Sequence, residues 1–433
     1  MELDLNLKEE YKETELGLLP KDWEVVRLGE VSELQQGKTP KRDDYEDYKG
    51  YRIIKVKDYE NENKISNIIK GDRSFVKTDF GERCRIKEGD SLILSAAHSS
   101  NIVGQKIGYV KEIPSQKTFF VAELIRVRPK KNIIPYFCFL SLILMSSRNQ
   151  IREEVKGGHL YPKNLGKIRI PLPPLSEQKK IAYVLSSVQE AKEKTEDVIK
   201  ATKELKKSMM NHLFTYGPVS LEEVEKVPLK ETEIGLVPEE WEVKNFGEIV
   251  EIRKEIIDPS NGNYIYVGLE HIESGNIKLR KTGLSKEVKS AKYKIYPNDI
   301  LYAKLRPYLD KGILVEQEGI CSTDLLVFKA KENVYASFIA YLEHTNYFRE
   351  YAIKTMTGVN HPRTSWRALS QLTIPLPPLS EQKKIASILS AIDQKIEAEE
   401  SKKKALEDLF KSLLHNLMTA KIRVNHLKNV FDE

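Results

Sequence analysis

The sequence predicts an α+β protein: two tandem homologous α/β domains separated by two long helices that pair as an antiparallel coiled coil, on a pseudo-twofold internal repeat. Three observations predict it. KETELGLLPKDWEVVRLGEV, starting at Lys12, returns as KETEIGLVPEEWEVKNFGEI at Lys230, an offset of 218. IPLPPLSEQKKIA runs from Ile170 to Ala182 and recurs unchanged from Ile374 to Ala386, an offset of 204. From Ile385 to Leu417, apolar residues then recur at alternating spacings of four and three, the period of a coiled-coil seam. A period near half the chain is too long for a solenoid and reads as two domains.

Taken in order, residues 1–19 form an acidic N-terminal segment and residues 20–174 a first domain opened by Trp23 in an extended segment. Its interior reads as short strands such as Tyr51–Val56 and Asp90–Leu94, followed by a helix-like apolar run from Pro135 to Val155. Pro173-Pro174 forces an extended entry to a helix over 175–216, for which Ser176 suits the N-cap and Glu177 the first turn. A linker (217–237) leads to the second domain (238–378), with Trp241, a strand at Asp299–Tyr302 and a helix-like run from Ser337 to Thr355. The C-terminal helix spans 379–423, with Ser380 as cap, and a tail covers 424–433. At 1.5 Å per residue each long helix would reach about 60 Å. The pairing seam falls on Leu185, Val188 and Leu205 in the first helix, where Lys192 and Lys206 interrupt it. In the second it falls on Ile385, Leu389, Ile392, Ile396, Leu406, Phe410 and Leu413.

What differs between the copies matters as much as what they share. A weaker match (Phe137, Arg148 and Gly157 with Phe338, Arg349 and Gly358) has an offset of 201, so the second copy is about 17 residues shorter in its middle. Residues 32–130 and 251–330 share little although their flanks nearly coincide. Common flanks point to one partner held twice, and divergent interiors to two ligands of one kind. Trp23 and Trp241 read as core residues, and the matched Arg148 and Arg349 as shared structural contacts.

Composition narrows the class. The formal net charge of the 433 residues is +6. Residues 20–170 hold 29 basic against 20 acidic groups, and residues 238–374 hold 19 against 18, so the surplus sits in the first domain, where a polyanionic partner is expected. The most apolar stretch, Ile133–Met145, is shorter than a membrane span and carries Pro135, and the N-terminus is acidic rather than leader-like. Cys84, Cys138 and Cys321 are isolated, so neither a disulfide framework nor a metal pair is expected, which fits a cytoplasmic protein. No metal is expected from the histidine spacing. Gly37-Lys38-Thr39 lacks the glycine of a phosphate-binding loop five residues earlier, where Ser32 stands, and no GxGxxG or methylation motif is present. Asp43-Asp44 read as solvated carboxylates.

The duplicated IPLPPLSEQKKIA, the two Gly-Leu-x-Pro-x-x-Trp-Glu-Val openings, Gly37-Lys38-Thr39-Pro40 and NDILYAKLRPYL from Asn298 resemble the specificity (S) subunits of type I restriction–modification systems. The resemblance implies two target-recognition domains, each reading one half of a bipartite double-stranded DNA target. It implies helices that set the spacer and dock methyltransferase subunits, two of them being expected. Restriction/translocase subunits are the further partners, and S-adenosylmethionine, ATP and Mg belong to partner subunits rather than to this non-catalytic chain. A type IIB-like specificity subunit and a coiled-coil assembly adaptor are the alternatives.

Base edges are read by bidentate donors, and phosphates are held by Lys, Arg, hydroxyls and backbone amides. In the first domain this chemistry falls on Lys38, Thr39, Lys41 and Arg42, on His98, Ser99, Asn101 and Lys106, and on His159, Tyr161 and Lys163 beside Gly157-Gly158. In the second it falls on Lys304, Arg306, Tyr308 and Lys311, and on Asn360, His361 and Arg363. No catalytic residue is expected.

Overall fold

The structure, a computed structural model, describes residues 10–47, 49–58, 74–113 and 117–424. Residues 1–9 of the N-terminal segment and all but the first residue of the tail lie outside the described residues. The chain divides into two compact units, one of residues 1–194 with 402–433 and one of 195–401.

In the first unit a hairpin, Tyr11–Thr14 with Gly17–Pro20, leads into strand Glu24–Arg27. That strand pairs antiparallel with Arg169–Leu172, the strand carrying the first proline segment. Between them lie two four-stranded sheets. One is antiparallel in the order Ser32–Gln36, Leu124–Pro129, Ser91–Leu94, Ile107–Tyr109. The other places Thr118–Phe120 parallel to Tyr51–Ile54, beside Phe75–Val76 and Tyr45–Glu46.

The second unit repeats the scheme. Its hairpin is Leu229–Thr232 with Gly235–Pro238, and Glu242–Asn245 pairs with Thr373–Leu376. Its antiparallel sheet runs Val250–Arg253, Leu325–Ala330, Asp299–Ala303, Gly312–Leu314. A five-stranded sheet stands where the first unit has four strands, again with one parallel pair, Ile265–Val267 with Gly319–Cys321.

Each helix-like run is two helices rather than one. In the first unit Pro135–Ile143 and Met145–Glu153 meet at Leu144, whose backbone is extended and whose side chain is buried. The break lets Leu142 and Ile151 enter the same core. In the second, Ala336–Leu342 and Asn346–Lys354 are separated at Thr345, whose hydroxyl accepts the Phe348 amide. A hydroxyl cap and a buried leucine do the same work. Cys84, Cys138 and Cys321 are free and buried, and burial pushes the Cys138 thiol up to about 12.

The long helices span Leu175–Tyr216 and Leu379–Met418, starting one residue before the expected serine caps. Pro174 and Pro378 occupy the cap position. Their carbonyls accept the amides of Glu177 and Gln178, and of Glu381 and Gln382. This frees the motif side chains for tertiary contacts. The Trp23 indole donates to Glu177 Oε2 and the Trp241 indole to Glu381 Oε2, each at 2.9 Å. Gln178 accepts the Ile134 amide and donates to the Pro173 carbonyl, and Gln382 does the same with Tyr335 and Pro377, all at 2.8 Å. The repeated tryptophan and the repeated Glu-Gln pair therefore lock each opening segment onto its helix, with both tryptophans buried.

Within the first unit, Ile181 and Leu185 of the first long helix share one core with Leu417 and Met418 of the second, and Phe410 and Leu413 pack against it. Arg423, just past the second helix, donates to Glu177 at 2.7 and 2.8 Å and to Asp22 at 2.9 Å, while the Tyr11 hydroxyl donates to the Ala420 carbonyl. Within the second unit, Met210 and Leu213 share a core with Ile385 and Leu389, Ile392 packs against it, and Ile396 is buried. Lys206 meets Asp393 at 2.7 Å and Lys203 meets Glu400 at 2.8 Å. Leu205 is a correction to the expected seam: it is 52% exposed, and the neighbouring Lys206 is the half-buried residue. The Lys206 ammonium is neutralised by Asp393 and lies over the Tyr341 ring, so a lysine is accommodated on the seam. Val188 and Leu406 are half-buried.

Candidate nucleic-acid interface

In the first unit the three polar loops singled out by sequence are neighbours. Gly37 brings the first loop against the 120–124 turn, since a Cβ there would lie 2.1 Å from the Val121 carbonyl oxygen. The amides of Gly37 and Lys38 donate to the Leu124 and Phe120 carbonyls. The Gln36 side chain reaches the Ser95 hydroxyl at 2.8 Å, which joins the second loop to the first. The third loop joins at Ala96, which bridges to His159, while the Leu160 amide donates to the Ser95 carbonyl. Lys156 and His159 exchange backbone hydrogen bonds across Gly157 and Gly158, whose φ values of 57° and 77° suit glycine.

Lys38, Thr39, Lys41, Arg42, His98, Ser99, Asn101, His159, Tyr161 and Lys163 are all exposed around this cluster, and Lys106 is half-buried. The His159 and Tyr161 rings stack at 6.2 Å. Asp44 is less solvated than expected, because its carboxylate accepts the Thr78 hydroxyl and the Lys41 amide.

The second unit joins its two loops in the same way. Leu305 bridges to Arg363, as Ala96 does to His159, and Thr357 and Arg363 exchange backbone bonds as Lys156 and His159 do. The Lys304 carbonyl accepts the Thr364 amide and the Arg306 amide donates to the Pro362 carbonyl. His159 and Arg363 thus hold the same backbone station on the two scaffolds. Asp324, which sequence reasoning missed, receives the Arg363 Nε at 3.2 Å and orients the guanidinium. Glu123 stands at the matching place in the first unit, where its carbonyl accepts the Ser95 amide.

The Arg306–Asp310 turn is held open by unusual backbone. Both residues have left-handed φ (54° and 51°), which costs a non-glycine residue about 1–2 kcal/mol. The Asp310 side chain meets the cost by accepting from His344 Nδ1 at 2.8 Å, with Arg349 at 3.7 Å. Arg306 and Tyr308 remain exposed, as do Asn360 and His361, whereas Lys304 and Arg363 are half-buried. Lys311 is turned inward, its ammonium donating to the Leu269 carbonyl at 2.6 Å. Arg349 also donates to Asn346, and Arg148 donates to the Ile143 carbonyl, so both matched arginines serve local structure.

Among the described residues no group of three or more His, Cys, Asp or Glu side chains is placed to hold a metal, and no helix is long and apolar enough to cross a membrane. The clusters can present hydrogen-bond donors and cations to a ligand. Each is a fixed scaffold with a different set of side chains.

The two units repeat one loop-joining scheme and display different side chains on it. The family model for the type I restriction modification DNA specificity domain matches residues 20–202 and again 238–408, and the chain belongs to that family. It is 29% identical over 448 residues to the type I restriction enzyme MjaVIII specificity subunit of Methanocaldococcus jannaschii, covering 97% of each chain. With the type I restriction enzyme EcoDI specificity subunit of Escherichia coli it shares 24% identity, over 85% of this chain and 81% of that one. Among solved structures, the S subunit of a type I restriction–modification system from M. genitalium matches with a TM-score of 0.57 at 13% identity, over 92% of this chain and 96% of that chain. A chain from a study of complex assembly in the type I R-M system gives 0.53 at 17%, over 93% and 99%. These last two likenesses concern the fold.

Proposed function

We propose that this chain is the DNA-sequence-specificity subunit of a type I restriction–modification enzyme, with two target-recognition domains (20–174 and 238–378) that each read one half of a bipartite target. The observation that carries the reading is the double match to a DNA specificity domain, on two units that share one loop-joining scheme and differ in the side chains displayed. The exposed candidates of the first unit, with the +9 balance of residues 20–170, supply phosphate and base contacts at one half-site. Arg306, Tyr308, Asn360, His361 and Arg363 do so at the other.

The long helices (Leu175–Tyr216 and Leu379–Met418) pair as an antiparallel coiled coil, supported by the Lys206–Asp393 and Lys203–Glu400 contacts and by the Leu185–Leu417 core. They set the unread spacer and dock two modification subunits. The chain performs no chemistry itself: S-adenosylmethionine, ATP and Mg act on the modification and restriction subunits, in the cytoplasm.

Co-expression with the modification subunit, followed by mapping of methylated adenines across the host DNA, tests the reading. A split motif with two fixed halves and a constant spacer is expected. A continuous motif, or no methylation that depends on this chain, would overturn it.

A further inference from the structure

The two units differ at one turn in a way that points to a particular base pair. Between the bonded residues Lys156 and His159 the first unit has only Gly157 and Gly158. Between Thr357 and Arg363 the second has Gly358, Val359, Asn360, His361 and Pro362, three residues more. The turn is anchored at its base by two 2.9 Å backbone bonds between Thr357 and Arg363, by the Arg306 amide on the Pro362 carbonyl, and by the Arg363–Asp324 pair. At its tip Val359 is 97% exposed. A valine with that exposure packs on almost nothing in the free protein and stabilises no core. Asn360, beside it, is exposed too.

We infer that this tip enters the major groove and reads an A·T pair in the second half-site, the Val359 isopropyl group against the thymine 5-methyl and the Asn360 amide on adenine N6 and N7. An apolar group for the thymine methyl and an amide for adenine are what that edge offers, and no other pair presents both. In the first unit the glycine turn has no side chain to offer, so its half-site carries no such contact from this position. The inference rests on the second domain reading DNA.

The test uses the full chain in complex with its modification subunit and duplexes in which each thymine of the second half-site is replaced singly by deoxyuridine, which removes only the methyl group. At one position the replacement should weaken binding about fourfold, the effect of losing one buried methyl group. Val359→Ala should weaken binding to the thymine duplex, and with that variant the deoxyuridine replacement should cost nothing further. A second half-site without an A·T pair overturns the inference. So does the absence of any methyl-sensitive position, as a minor-groove wedge would give, or an undiminished uracil effect in Val359→Ala. Arg306→Ala/Arg363→Ala separates the two levels. If it leaves binding and the second half-site unchanged, the DNA-reading assignment of this domain fails. If it weakens binding while the methyl test is negative, only the Val359 inference fails.

Discussion

The two units hold one scaffold and spend it differently. In the first, the helix Pro135–Ile143 ends on Leu142 and Ile143. At the matching offset the second has Glu343 and His344, just past its helix Ala336–Leu342. Leu142 is ordinary core. Glu343 is fully buried with no hydrogen-bond partner among the described residues on either carboxylate oxygen, and burial, with Asp310 nearby, pushes its carboxyl well above the usual range. His344 beside it holds Asp310 and so the left-handed turn at Arg306–Asp310. The second domain accepts a costly polar interior to fix one exposed loop, whereas the first fixes its loops with glycine and a glutamine. Recognition surfaces on a common frame can thus be supported by different means, and the support is where the stability of the two units should diverge.

The strongest way to break the comparison is exchange. Replacing residues 32–130 by the corresponding segment of another specificity subunit should change one half-site and leave the other intact, read by methylation mapping. A change in both halves would end the idea of two independent readers.

Next in size come the shared clasps. Trp23→Ala and Trp241→Ala should each cost about 3–5 kcal/mol in denaturant unfolding, because a buried indole and its bond to a buried or half-buried carboxylate are lost together. Arg423→Ala should cost about 2–3 kcal/mol, by leaving the buried Glu177 carboxylate with the indole alone.

A smaller effect separates the interiors. Glu343→Leu, which gives the second unit the residue type of the first, should stabilise it by about 1–2 kcal/mol, since it removes an unsatisfied buried acid. Because the folded state holds the Glu343 proton more tightly than the unfolded chain, stability should fall as pH rises above the ordinary carboxylate value of about 4.3. Glu343→Gln should flatten that slope in unfolding titrations. Smallest are the phosphate contacts: Lys38→Ala or Arg42→Ala should each lower the salt dependence of DNA binding by about one unit of log–log slope, with sequence preference unchanged.

Much of this was legible in sequence because it is written locally. The repeat gave two units, proline pairs gave extended entries to the long helices, and polar loops between apolar strands gave the loop clusters. Even the longer turn is visible, as the offset that rises from 201 at Gly157 to 204 at Ile170. What escaped depends on distant partners. Nothing near Leu144 marks a helix break, since no proline or glycine is there and the break serves a core assembled from far along the chain. Lys206 reads only as an interruption of the seam until Asp393, on another helix, is in place. Lys311 has the chemistry of a phosphate contact but finds a carbonyl instead. Arg423 resembles any basic residue near a terminus until Glu177 and Asp22 are seen around it.

That last contact has a consequence for synthesis on the ribosome. The first unit's core includes Leu19 and Leu185 but also Leu417, Met418, Ala420 and Val424, so it cannot close until residue 424 has been added. The second unit, a single continuous stretch of 195–401, is complete earlier. At about 5–20 residues per second, the stretch from residue 194 to 424 takes roughly 10–45 s, during which Ile181 and Leu185 wait for their partners. Of the two units, the one begun earlier is completed later, and its apolar helix face stays open to chaperones and to neighbouring nascent chains throughout that interval.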